Sequence, residues 1–275
     1  MRHFVRRHRN WIPWLTGAGL VLVALAIFLI KNPLIPTEIG EDLALLADPR
    51  ADRAYEYGVK HFDAIDARQY DIDRSEDLFN YTLRLDPSHP YAYHELARIA
   101  FLRGNQEHAL MLINKEFEVN PKPMPASYYI RALIKGYMGD YLGAADDYET
   151  YFKVTSANWA AINDYSWVLL KAGDPADAHH ALSWGLAAWP DNPWLLANES
   201  IALYELGRVK EADAMVRKAQ AAVGRISELG WRIAYPGNDP AIASTGLANF
   251  RAAVAANLEM IERATSTSTR PTPVR

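Results

Sequence analysis

No cysteine occurs in the 275-residue chain. That absence excludes a disulfide framework, a thiolate metal site and a cysteine nucleophile. Common catalytic motifs are also missing: there is no HExxH, GxSxG, GxxxxGKS/T or GxGxxG. The chain therefore lacks the signatures of a zinc-protease helix, a nucleophile elbow, a phosphate loop and a dinucleotide fingerprint. None of the eight histidines has another histidine or a carboxylate four residues away. His179 and His180 are adjacent, so on a helix they point about 100° apart and cannot share a metal. The segment DIDRSEDLFNYT opens like a calcium loop at Asp71 and Asp73. It fails where Glu76 replaces the required glycine and Thr82 the closing glutamate. These acids read as caps and solvated surface at the start of a helix, and Asp146-Asp147 as a solvated face. No enzyme, cofactor or metal site is expected.

Charge is missing from a second place. Trp11 to Ile30 is a run without one charged side chain, preceded by the basic head MRHFVRRHRN. At about 1.5 Å per residue such a run crosses a hydrocarbon core of roughly 30 Å. Trp11 and Trp14 fit an interfacial aromatic belt, and Lys31 closes the far end. The competing reading is a cleaved signal peptide, supported by an Ala24-x-Ala26 pair. Apolar residues continue past that pair through Ile30, which favours a retained anchor. Residues 1–31 carry a formal +5, which leaves −9 on the rest of a chain whose net charge is −4. The positive-inside rule then puts residues 1–10 in the cytoplasm, residues 11–30 in the plasma membrane and the acidic body outside. An acidic body also argues against nucleic-acid binding, which depends on a basic surface.

Residues 31–50 join anchor to body. NPLIPTEIG cannot continue the span as helix. Ile39, Leu43 and Leu46 then sit at i, i+4 and i+7, a short amphipathic piece expected to pack on the body before Asp48-Pro49 stops it.

The body repeats. Gly104, Gly139, Gly173 and Gly207 step by 35, 34 and 34 residues, and Ala109, Ala144, Ala178 and Ala212 follow five residues behind each. A glycine inside a helix costs roughly 1 kcal/mol relative to alanine. Here each glycine ends a first helix by taking the left-handed conformation. Each alanine lies in a second helix, where a small side chain permits close approach. Counting back from the glycines gives units of 90–123, 125–158, 159–192 and 193–226. Pro87, Pro121 and Pro190 end second helices.

This pattern resembles the tetratricopeptide repeat. In its terms, small residues fall at the eighth position (Ala97, Ala132, Ser166) and alanine at the twentieth (the four alanines above). A looser unit precedes them, with Tyr57-Gly58, Phe79 and Pro87 in equivalent places and about five extra residues in its loop. Glu199-Ser200 stands where Leu-Gly is usual, and Gly224 replaces a last proline. The resemblance covers residues 51–226 and implies an all-α, right-handed solenoid of helix–turn–helix repeats. It also implies a concave groove lined by the first helices. Carried over position by position, that groove holds Tyr91, His94, Arg98 and Phe101. Tyr129, Leu133, Gly136 and Tyr137 follow, then Asn163, Trp167 and Leu170, and then Trp194, Ile201 and Tyr204. The lining is aromatic with few charges, and several rings are expected to pack between helices instead of lining the groove. The lysine- and asparagine-rich carboxylate clamp of the family is not reproduced by Arg98 and Asn163, so acidic C-terminal peptides are not the expected ligand.

Residues 227–264 read as capping helices. RISELGWRIAY forms one short helix, PGNDP breaks it, and Asp239 caps a new start with Pro240 at the first position. Leu247, Phe250, Val254, Leu258 and Ile261 then form an apolar stripe. This helix is expected to cover the open end of the array, the alternative being that it folds into the groove. Residues 265–275 lack apolar periodicity and are expected to be disordered. The whole reads as an all-α solenoid with a C-terminal capping helix and one N-terminal transmembrane helix. It is expected to bind another protein or peptide segment as a scaffold or assembly factor of a cell envelope. The alternatives are an extracytoplasmic chaperone or translocon accessory that takes unfolded segments, and a self-associating structural component.

Overall fold

The computed structural model describes residues 37–268, so the basic head, the span Trp11–Ile30, residues 31–36 and the tail 269–275 lie outside the described residues. Among the described residues no helix is long and apolar enough to cross a membrane.

Thirteen α-helices and no strands make up the described chain. A leading helix α1 (Thr37–Ala47) is followed by five helical hairpins. These are α2 (Ala51–Phe62) with α3 (Ile72–Leu85), α4 (Ala92–Leu102) with α5 (Gln106–Val119), and α6 (Pro125–Tyr137) with α7 (Tyr141–Val154). Then come α8 (Trp159–Ala172) with α9 (Pro175–Ala188) and α10 (Pro193–Glu205) with α11 (Val209–Val223). Short α12 (Glu228–Ala234), a 3-10 turn (Pro240–Ile242) and long α13 (Ala243–Ser268) complete the chain.

The repeat logic is visible in backbone and packing together. Gly104, Gly139, Gly173 and Gly207 have φ of 76°, 87°, 82° and 74°, the left-handed region that closes a first helix. The next residue or two supplies a cap: Asn105, Asp140 and Asp174 each accept from a backbone N–H three residues on. Ala109, Ala144, Ala178 and Ala212 are wholly buried, as are the small residues Ala97, Ala132 and Ser166. In the leading hairpin, Gly58 does a related job inside a helix. A Cβ there would lie 2.6 Å from the Phe79 ring. The longer loop expected in this unit is present, spanning residues 63–71.

Three expectations need correction, for residues 265–268, for Asp147 and for the buried face of α1. Residues 265–268 continue α13 as helix. Asp147 is buried, not solvated, because Arg131 and Lys135 of the facing helix hold its carboxylate at 2.6 and 2.7 Å. Asp73 is exposed, but Asp71 caps α3 by accepting from Arg74 N, as a cap should. In α1 the buried face is Glu41 and Leu45, while Ile39 and Leu46 point outward. The acid goes in because Lys60, His61 and Arg74 converge on it. Three cationic or donor groups outweigh the apolar spacing in choosing the face. Finally, the Glu199 that departs from the family pattern is buried and bonds to His179 Nδ1 at 2.7 Å.

The C-terminal region does two things at once. α13 packs against α11 and α10, with Val254 and Ile261 buried in the core they share, so the apolar stripe caps the array. The preceding segment, α12 and the turn after it, instead folds back over the first helices.

Candidate partner-binding groove

The first helices α4, α6, α8 and α10 lie side by side and line a cavity of about 480 Å³. Of the residues expected there, Arg98, Phe101, Tyr129, Leu133, Tyr137, Asn163, Trp167 and Trp194 line it together. Gly136 sits beneath this lining; a Cβ on it would meet Val168 and Trp167 at 3.0 and 3.1 Å. Phe101 meets Tyr137 edge-on at 5.1 Å, and Tyr137 lies tilted over Trp167 at 5.2 Å. Tyr137 is the exposed member, with 59% of its surface in solvent.

Five expected residues do not line the cavity. Tyr91 occupies the N-cap of α4 in a left-handed conformation (φ 76°), and its N–H donates to Glu116. His94 is turned inward, 3.2 Å from Ser127 Oγ and buried. Burial first, and then the charge of Arg98, pushes its pKa down to about 3, so the ring is neutral. Leu170 packs into the core between α8, α9 and α10, and Tyr204 into the core beneath α13. Ile201 is half-buried outside the cavity. Helix periodicity assigns a face only within about a quarter turn, and neighbouring helices claim the residues at its edges.

Sequence reasoning missed the polar base and the roof. Asp164 lines the cavity and accepts from Tyr129 Oη at 2.5 Å and from Asn163 Nδ2 at 3.0 Å. Burial raises its pKa to about 6 against those two hydrogen bonds. Asn198 Nδ2 donates to Asn163 Oδ1 at 3.0 Å. Tyr129–Asp164 and Asn163–Asn198 are each 35 residues apart. Polar residues one period apart were the signal that could have revealed this base.

The roof comes from the C-terminal arm. Tyr235 Oη accepts from Trp194 Nε1 at 2.7 Å, Arg98 Nη2 donates to Pro236 O, and Tyr70 Oη donates to Gly237 O. Tyr235, Pro236, Asn238 and Phe250 all line the cavity. Trp194 is stacked between Trp159 and Phe250, at 4.8 and 5.3 Å. The arm thus bridges from the last hairpin to the first, where Gly237 takes φ 84° and has no room for a Cβ beside Arg98. A second hollow, between α1 and α3, is lined by Asp42, Arg74 and other charges; Arg74 is already engaged by Glu41 and Asp42. Among the described residues no cluster of three or more metal-ligating side chains is placed to hold an ion.

Comparison with known proteins gives a consistent picture. Residues 169–225 match the tetratricopeptide repeat family model. No curated protein matches the chain in sequence. Among solved structures the chain is similar to PilW, a widely conserved type IV pilus biogenesis factor. Identity there is 16% and the TM-score 0.57, over 77% of this chain and 97% of that one. It is similar to PilF of Pseudomonas aeruginosa at 14% identity and TM-score 0.54, over 81% and 93%. A third is YrrB, a TPR protein with an unusual peptide-binding site, at 12% identity and TM-score 0.55, over 69% and 95%. At such identities the likeness concerns the fold. Residues 169–225 carry the family match, and the described body as a whole has the helical-hairpin solenoid fold of these structures.

Proposed function

We propose that this chain is a non-enzymatic interaction scaffold, held at the plasma membrane by Trp11–Ile30, with its N-terminus cytoplasmic and its helical body outside. The body binds one partner polypeptide on the face formed by α4, α6, α8 and α10. The observation that carries this reading is the aromatic cavity lined by Phe101, Tyr129, Trp167 and Trp194, with the ring of Tyr137 exposed at its rim. Exposed aromatics around a cavity are what binding hot spots use. PilW, a type IV pilus biogenesis factor, and PilF of Pseudomonas aeruginosa have similar folds, and YrrB has a peptide-binding site. Those likenesses support a scaffold in an envelope assembly.

A photo-crosslinking amino acid placed at Tyr137 of the full-length protein, irradiated in its native cells, tests the reading. One stoichiometric adduct of a distinct protein is expected. A smear of many secreted proteins would favour a chaperone, and an adduct of twice the chain mass would favour self-association. Orientation is tested separately with Leu46→Cys, an exposed position in a chain without other cysteines. Labelling by an impermeant maleimide only after lysis would overturn the topology.

A further inference from the structure

The cavity has a feature that a purely apolar groove lacks. Asp164 is a carboxylate at the base of an aromatic pocket, and among the described residues it forms no ion pair. Other acids held between the helices have cationic partners: Glu41 has Lys60 and Arg74, Glu95 has Arg98, and Asp147 has Arg131 and Lys135. Glu116, satisfied by Tyr91 N and Asn120 Nδ2, and Glu199, bonded to the His179 ring, are the exceptions, and neither lines this cavity. Asp164 receives one neutral donor on each oxygen, which leaves lone pairs on both free to accept. The cation that lines the same cavity, Arg98, is committed elsewhere. Its guanidinium is held by Glu95, Asp63 and the Pro236 carbonyl.

We propose that this cavity receives the side chain of a lysine or arginine from the partner polypeptide, with Asp164 as its counter-charge and the rings of Phe101, Tyr137, Trp167 and Tyr235 as its walls. The proposal rests on the partner-binding reading above and names the chemistry of the contact. A cation entering such a site gains twice. It neutralises a carboxylate that burial has left poorly solvated, and it sits against aromatic faces, which attract cations more strongly as water is excluded. Asn163 and Asn198 add amide oxygens at the base, so the remaining ammonium or guanidinium donors have neutral acceptors. The volume of about 480 Å³ lies within the range of side-chain and small-ligand pockets. The arm residues Tyr235 to Asn238 cover part of the face, so a partner inserts a side chain here and rests the remainder of its segment on the exposed rim at Tyr137.

The test uses the full-length protein in detergent and an array of random, end-blocked twelve-residue synthetic peptides. Retained peptides are expected to be enriched about fivefold in lysine and arginine over the array. Asp164→Asn, which keeps an acceptor for Tyr129, is expected to abolish that enrichment while still retaining neutral aromatic and aliphatic peptides. Tyr137→Leu, at an exposed rim position, is expected to reduce it. A third arm needs no variant: acetylating the lysines, or replacing the arginines by citrulline, in the best-retained peptides is expected to weaken their capture by about tenfold. Retention without cationic preference, or a preference that survives both Asp164→Asn and side-chain neutralisation, overturns the cation site and leaves partner binding standing. Failure of the wild-type protein to retain any peptide overturns the partner-binding reading, and the cation site falls with it.

Discussion

Trp194 Nε1 donates to the hydroxyl of Tyr235 across 2.7 Å, and this bond fastens the C-terminal arm to the first helix of the last hairpin. Trp194 is 9% exposed, so its indole N–H has little access to water. Tyr235→Phe keeps the ring and removes the acceptor. It is expected to cost about 1–3 kcal/mol, the range for stranding a buried donor. Amide exchange over residues 228–239 should rise more than exchange in α10. Tyr137→Phe, at an exposed ring, is expected to change stability by less than about 0.5 kcal/mol. Equal effects from the two substitutions would show that the arm is not held by this bond.

The repeat register can be checked by paired substitutions. Ala178 and Ala212 are wholly buried, so Ala178→Leu and Ala212→Leu should each cost about 1–3 kcal/mol by overpacking. Glycine supplies the opposite control. Gly207 has φ 74°, and Gly207→Ala is expected to lose stability because alanine resists that conformation. Gly224 has helical dihedrals and only ordinary contacts waiting for a Cβ, at 3.5 and 3.6 Å. Gly224→Ala should therefore stabilise by about 0.4–1 kcal/mol. Thermal or denaturant unfolding of the four variants reads the result, and a destabilising Gly224→Ala would show that the last hairpin ends differently.

These outcomes follow from features the sequence carries plainly. Period, glycine and alanine determined the hairpins because each is a local requirement: φ above zero needs glycine, and a close helix crossing needs a small side chain. The groove was less legible. Eight of its lining residues followed from position within the repeat, whereas His94, Leu170 and Tyr204 were drawn inward. Their direction depends on Ser127, on the α9–α10 core and on α13, none of which a helical wheel contains. Asp147 and Glu41 went inward for a similar reason. A carboxylate on a helix reads as solvated until a cation on another helix is known to face it. The arm was hardest of all, because PGNDP reads as a break and nothing local says that the chain after Trp231 returns across the first helices to Tyr70.

Acid sensitivity is expected at His94. Its folded pKa, about 3, lies below the ordinary value of 6.5, so between those values the unfolded chain binds a proton that the folded one does not. The stability it confers is full above pH 6.5 and is lost as pH falls from there toward 3. At pH 5 the loss is about 2 kcal/mol, from 1.36 kcal/mol per pH unit below 6.5. Asp164 opposes it, since its folded pKa is raised and protonation near pH 6 relieves burial. Measuring urea midpoints of wild type and His94→Gln at pH 7.5 and 5 separates the two, because only the difference between the proteins reports His94. The advantage of wild type over His94→Gln should shrink by about 2 kcal/mol; an unchanged difference would show that His94 titrates normally in the folded protein.

Trp167 offers the sharpest separation of binding from packing. It is half-buried, touching Tyr137 at 5.2 Å and Tyr141 at 6.4 Å, with Gly136 leaving room beneath its ring. Truncating a binding hot spot costs about 2 kcal/mol or more of affinity. Truncating a fully buried aromatic costs about 3–5 kcal/mol of stability. Tyr148, wholly buried behind the same helices, is the reference for the second case. Trp167→Ala is expected to weaken capture of the crosslinked partner at least about tenfold. Its loss of unfolding free energy should be clearly smaller than that of Tyr148→Ala. If Trp167→Ala instead matches Tyr148→Ala in stability and its folded fraction still captures the partner at wild-type affinity, Trp167 is core. The contact surface would then have to centre on Tyr137 and Phe101, the rings that remain at the mouth of the cavity.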